Sequence, residues 1–247
     1  YLLKPLIPKT ISHRLRQFYN RSSKPSDNWL IEHRYVDFLW EVMRQVLVLS
    51  NQEKTFIQCF WPKHQCYAFI LTHDVETGEG QAFVEEVADL EESLGFRSSF
   101  NFVPYRYQID SGLMNSLHKR GFEIGVHGFK HNGRLFNNQQ SFYQKAQHIN
   151  TFLSKWGASG FRSELTLRQP EWMQRLEIQY DLSFFDVDPF EPIPGGTMCI
   201  WPFSIGRFIE LPYTLIQDNT LISILNQKDP QYWLTKIEFI EKYHGSA

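Results

Sequence analysis

The sequence predicts an α/β fold, either a barrel or a doubly wound sheet, and three observations carry that prediction. Strand-like and helix-like stretches alternate from Tyr67 onward. The run Tyr-Ala-Phe-Ile-Leu-Thr at Tyr67–Thr72 is apolar without polar alternation, as in a strand buried on both faces of a parallel sheet. No internal repeat or low-complexity linker divides the 247 residues, a length that one α/β domain reaches undivided.

Taken in order, Tyr1 to Asn28 mixes basic residues with Pro5, Pro8 and Pro25 and reads as a wrapping arm. From Ile31 to Leu49 apolar residues recur at three and four, which predicts an amphipathic helix. Thr55–Trp61 is strand-like and closed by Pro62, so residues 1–62 are expected to pack as arm, helix and strand on a barrel formed by 63–247. The Tyr67–Thr72 strand leads directly into His73-Asp74-Val75-Glu76. Helices are predicted over Phe83–Leu94, stopped by Gly95, and over Leu113–Lys119, stopped by Gly121, with a strand at Ser98–Val103 between them. Phe122–Val126 is a strand, Phe142–Trp156 an amphipathic helix, and Gly160-Phe161-Arg162 a strand end. Pro170 can open a helix at Glu171–Leu176. Tyr180–Phe185 is a strand followed by Asp186, Asp188 and Glu191 among prolines, and Ile193–Thr197 is a loop. Phe208–Leu211 is a strand ended by Pro212, and Trp233–Tyr243 is a helix after which one more strand is expected and none is visible.

Composition narrows the partners. A net charge of -2 and a pI near 6.5 lack the basic footprint of nucleic-acid or anionic-membrane binding. No run approaches the roughly 18 apolar residues of a transmembrane span, and no signal peptide is visible. A cytoplasmic location is the expectation, with a trimmed start left open because the chain begins at Tyr1. Cys59, Cys66 and Cys199 are odd in number and scattered, which argues against disulfides and a thiolate zinc site and predicts buried free thiols.

The chemistry gathers at predicted strand ends, where α/β folds place reactive groups. His127 and His131 are four residues apart, so two imidazoles can converge on one divalent metal, with a carboxylate needed as third ligand. A solvated turn would show the same spacing, but the pair follows a buried-type strand. Metal-assisted hydrolysis needs a metal to polarise a carbonyl, a carboxylate to take a proton from water, and a cation or amide for the oxyanion. The candidates are His73-Asp74-Val75-Glu76, the histidine pair, Arg162, Asp186 and Asp188.

Leu-Thr-His-Asp-Val-Glu, Gly-Val-His-Gly-Phe-Lys-His, Gly-Phe-Arg-Ser and Tyr-Asp-Leu-Ser-Phe-Phe-Asp occur in that order between Tyr67 and Pro212. This series resembles the polysaccharide deacetylases of carbohydrate esterase family 4, which share the nodulation-factor deacetylase homology domain. The likeness is nearest to an uncharacterised bacterial branch. The resemblance implies a distorted, incomplete (β/α) barrel, here with an N-terminal helical extension, a zinc-like metal, and removal of N-acetyl groups from a saccharide. In one register Asp74 is the general base and Glu76 joins His127 and His131 as ligand; in the other His73 is the base and Asp74 the ligand. The first is preferred because residues two apart on a strand point the same way, which leaves His73 as a packed or supporting residue.

By the same resemblance Arg162 orients the base, and Asp186 and Asp188 fall where the family keeps an acid near that arginine. A turn-capping role is the alternative for the two aspartates. Glu164 stands where the family has proline and would repel developing negative charge unless it points away. The family's fifth motif supplies a histidine as general acid from a final strand. His244 is a poor substitute, and a missing acid would lower the rate roughly 10²- to 10⁴-fold. Two rivals remain: an allantoinase-like hydrolase of cyclic amides, suggested by Tyr180–Phe184, and a non-catalytic carbohydrate binder using some of the seven Trp, eleven Tyr and twenty-one Phe.

Overall fold

The computed structural model describes residues 30–55, 60–188, 190 and 195–247. Seven strands form one sheet: β1 (Thr72–Val75), β2 (Ser99–Phe102), β3 (Glu123–His127), β4 (Gly160–Arg162), β5 (Tyr180–Asp181), β6 (Phe203–Ile205) and β7 (Phe208–Glu210). Their order is β1-β2-β3-β4-β5-β7-β6, parallel throughout except for the antiparallel β6–β7 hairpin. The sheet curls without closing, so the expected α/β class and unclosed barrel are what the chain adopts.

Helices α1 (Arg34–Leu49), α2 (Gly78–Ala82), α3 (Val84–Ser93), α4 (Ser111–Lys119), α5 (Gln139–Trp156), α6 (Pro170–Met173) and α7 (Gln231–Lys242) account for the crossovers and the two ends. Their limits follow local chemistry. The Asp110 carboxylate accepts from Gly112 N–H at 2.7 Å to start α4, and Asn138 accepts from Ser141 N–H at 2.9 Å to start α5. Gly157, at φ 62°, ends α5 in the left-handed conformation. Phe100, Phe102, Ile124, Val126 and Phe161 of the sheet pack on Leu117, Phe142, Ile149 and Met173 of the helices. Each such side chain contributes about 1.5–3 kcal/mol on burial. A separate cluster of Val36, Ile200 and Ile240 docks α1 on α7.

The first strand differs from expectation. Pairing with β2 starts at Thr72, so His73 and Asp74 lie in β1 rather than after it. The preceding apolar run pairs instead with the end of the chain: Ile70 N–H donates to Ala247 at 2.8 Å, and Ala247 N–H to Ala68 at 2.9 Å. Nor is the run buried on both faces as its hydropathy predicts: Phe69 is exposed and the rest of 67–72 is only partly buried, because the segment pairs at the edge of the sheet with the chain end. The same bonds show that α7 is followed by residues 245–247 running parallel to 68–70, where the sequence showed no strand after the helix. The Tyr180–Phe185 strand is reduced to β5 and an isolated bridge from Phe185 to Tyr213. Strand β6 and the π-helical turn Asn219–Ile224 carry no periodic signal and went unpredicted. Cys66 is exposed and Cys199 only partly buried, against the expected buried thiols. The N-terminal arm, Cys59, the middle of Thr55–Trp61 and Glu191 lie outside the described residues. Among those described, no helix is long and apolar enough to cross a membrane.

Candidate metal and catalytic site

The C-terminal ends of β1, β3 and β4 bring five of the sequence-selected residues to one cleft of about 960 Å³: Asp74, Glu76, His127, His131 and Arg162. His127 closes β3 opposite Arg162 in register. Its Nδ1–H donates to the Arg162 carbonyl at 3.0 Å, which leaves Nε2 as the free lone pair facing the cleft. That Nε2 is buried without a hydrogen-bond partner, 3.9 Å from Asp74 Oδ2 and 3.9 Å from Glu76 Oε1.

The chain then turns rather than continuing as a helix. Gly128, at φ 58°, and His131, at φ 52°, are both left-handed, and the turn swings the second ring to 5.0 Å from the first. A side chain at Gly128 would also meet Glu164 Cβ at 3.2 Å, so both the backbone conformation and the tight surroundings favour glycine there. His131 Nε2 lies 2.9 Å from Glu76 Oε1. One ligand atom each from Glu76, His127 and His131 falls within 4.8 Å of the others.

The acids are held ionised. His127, then His131, keep the Glu76 carboxyl well below the usual range. Burial pushes Asp74 up, but Arg162 and His127 outweigh it and leave the carboxyl below its ordinary value. Arg162 Nε bonds Asp74 Oδ2 at 2.9 Å, and Asn101 Nδ2 donates to Oδ1 at 3.2 Å. Burial pushes the His127 imidazole down, while Asp74 and Glu76 draw positive charge onto it and raise it. Two ionised carboxylates, an orphaned imidazole lone pair and a second histidine form a donor set that could hold a divalent cation.

No family model and no curated protein matches the chain. Solved structures do match it, and two of them cover more than three quarters of the chain with TM-scores above 0.5. One is a polysaccharide deacetylase-type protein from Mycobacterium smegmatis, with a TM-score of 0.54, 14% identity, and coverage of 78% of this chain and 79% of that one. The fold is that of the polysaccharide deacetylases. The other is the Puue allantoinase, with a TM-score of 0.58, 11% identity, and coverage of 77% and 76%. At these identities the likeness is one of fold.

Within this deacetylase fold three sequence candidates, His73, Asp186 and Asp188, take partners other than the residues that converge in the cleft. The His73 ring leaves β1 away from Asp74, stacks on Phe100 at 4.9 Å and bonds Glu91 of α3 at 2.7 Å. Strand alternation separates these neighbours, so the register with His73 as base is not the one the geometry offers. Asp186 pairs with buried Lys236 of α7 at 2.5 Å instead of with Arg162. Burial pushes its carboxyl up to about 6, with Lys236 opposing. Asp188 Oδ1 accepts from Phe190 N–H at 2.8 Å, the turn-capping alternative. Glu164 is buried and points away from the cleft, accepting from Leu135 N–H at 3.2 Å, so the feared repulsion does not arise there. His244 bonds the Cys66 carbonyl at 3.0 Å and is not among the residues that line the cleft.

The sequence reading missed four contributors. Asn101 holds Asp74, Arg106 reaches Glu76 at 3.6 Å, Tyr107 donates to the Val75 carbonyl, and the Tyr213 ring lies 5.2 Å from the Arg162 guanidinium carbon. Only Asn101 had a signal, as a lone amide between the two phenylalanines of β2. Leu165 and Thr166, at φ 55° and 53°, put two consecutive left-handed residues in the loop after Arg162. Backbone strain of this kind gathers at functional sites.

Proposed function

We propose that this chain is a metal-dependent amide hydrolase that removes N-acetyl groups from a saccharide or polysaccharide. The observation that carries the reading is the convergence of Glu76, His127 and His131 within 4.8 Å, beside an Asp74 held by Arg162. Glu76 and the two imidazoles would hold the ion, zinc by its donor set. When bound, the ion supplies Lewis acidity to a carbonyl and acidity to water. Asp74 accepts the water proton: its carboxyl is ionised, faces the cleft and is fixed from two sides by Arg162 and Asn101. Arg162 keeps that charge in place and, through its carbonyl, sets the tautomer of His127.

Incubation with zinc and an N-acetylated chito-oligosaccharide tests the reading. Acetate release that stops with a chelator and returns with metal supports it, and His127→Ala should abolish metal retention by elemental analysis. Unchanged metal content in that variant would falsify the ligand assignment. Because the Puue allantoinase shares the fold, ring opening of a cyclic amide in the presence of chelator would favour the second reading. Saccharide binding without turnover would leave a carbohydrate-binding relative.

A further inference from the structure

Behind the metal-binding face two buried acids stand opposite each other. Asp181 of β5 and Glu210 of β7 are register partners, and each is 0% exposed. Asp181 accepts twice from Ser183, at 2.7 Å from Oγ and 3.3 Å from N–H. Glu210 Oε1 accepts from Phe184 N–H at 3.1 Å, while Oε2 is buried and meets no donor. The cation acting on Glu210 is Arg168, whose guanidinium also donates to the carbonyls of Thr166 and Gly195.

Two adjacent carboxylates out of contact with water do not both stay ionised. Burial first, and then the charge of Asp181, pushes Glu210 well above the ordinary range. Burial raises Asp181 as well, but its two donors favour the charged form. The proton therefore sits on Glu210, and the charge stays on Asp181, which has the two donors.

The anion fixed in this way has a task. Ser183 Oγ donates to Asp181 and accepts from Ser163 N–H at 2.8 Å. Ser163 follows Arg162, whose carbonyl turns His127 and whose Nε holds Asp74. We propose that Asp181 and Glu210 are a proton-sharing positioning pair that, through Ser183 and Ser163, fixes the peptide from which Arg162 orients both His127 and Asp74. The consequence for metal affinity rests on the proposed metal centre; the consequence for the His127 tautomer does not.

The test uses the full chain and two readouts: ¹⁵N NMR of the His127 tautomer without metal, and titration with Co²⁺. Ser183→Ala breaks the link and leaves both acids. It is expected to weaken cobalt binding by about tenfold or more, the usual effect of losing support behind a ligand, and to change His127 from one Nδ1–H tautomer to a mixture. Glu210→Gln keeps the shape and the donor of the protonated acid, and should match the wild type in both. Should Ser183→Ala not fold, Ser163→Pro removes the same donor at a φ of -76°, which proline adopts. A folded link variant with wild-type tautomer and cobalt affinity overturns the proposal, as does a Glu210→Gln chain that loses both. A wild-type chain that binds no cobalt sinks the metal centre alone and leaves the tautomer to judge the relay.

Discussion

Asp74 and Glu76 meet different partners, Arg162 and Asn101 for the first and His131 for the second, and the separate tasks proposed for them rest on that division. Asp74→Asn keeps the size and the Asn101 contact but cannot accept a proton. It should retain bound metal while acetate release falls by roughly 10²- to 10⁴-fold; metal content and turnover measured on one preparation check this. Gly125 is a quieter requirement. A Cβ there would lie 2.0 Å from Asn101 Oδ1, so any side chain displaces the amide that holds Asp74. Gly125→Ala should cost about 1–3 kcal/mol, as overpacking does, and should lower turnover as well. A urea midpoint equal to that of the wild type would show that Asn101 is free to move.

At the scale of elements, the site depends on strand ends and on the turns that leave them. The Gly128–His131 turn folds the second histidine back on the first, and the strained Leu165–Thr166 turn walls the cleft beside Arg162. Helix α7 is pinned from below by Lys236, whose Nζ donates to Asp186 and to the Leu30 carbonyl. Lys236→Met should destabilise by about 3–5 kcal/mol, because it strands a buried acid, whereas Lys236→Met with Asp186→Leu should recover most of the loss. Denaturant midpoints of the two variants decide this; equal losses would mean the ion pair is not what joins α7 to the sheet.

For the whole molecule, stability and pH are linked through the Asp181–Glu210 pair. Glu210 has a folded-state pKa well above its ordinary value, so the folded chain holds a proton that the unfolded chain releases. Stability is therefore fully present at acidic pH near the ordinary glutamate value of about 4.3 and declines as pH rises toward the folded-state pKa. Glu210→Gln removes this proton linkage and should flatten the decline. Chemical denaturation from pH 5 to pH 8 measures both slopes, and parallel slopes would place the charge on Glu210 throughout.

The resemblance carried by its motifs implied an unclosed sheet; the sequence by itself determined the alternation of strands and helices and offered the five residues that meet at the cleft among its candidates. Those are local patterns: periodicity, caps, and polar residues placed just where apolar runs end. Tertiary structure alone decided the face of β1 on which each of His73 and Asp74 lies, because shifting a strand by one residue exchanges its two faces. It also decided that Asp186 turns to Lys236, fifty positions away, and that Glu164 turns behind the cleft. Asn101, the Asp181–Glu210 pair and the return of residues 245–247 beside 68–70 likewise exist only once distant segments are paired. Contacts between residues remote in the chain leave no period and no cap to be read.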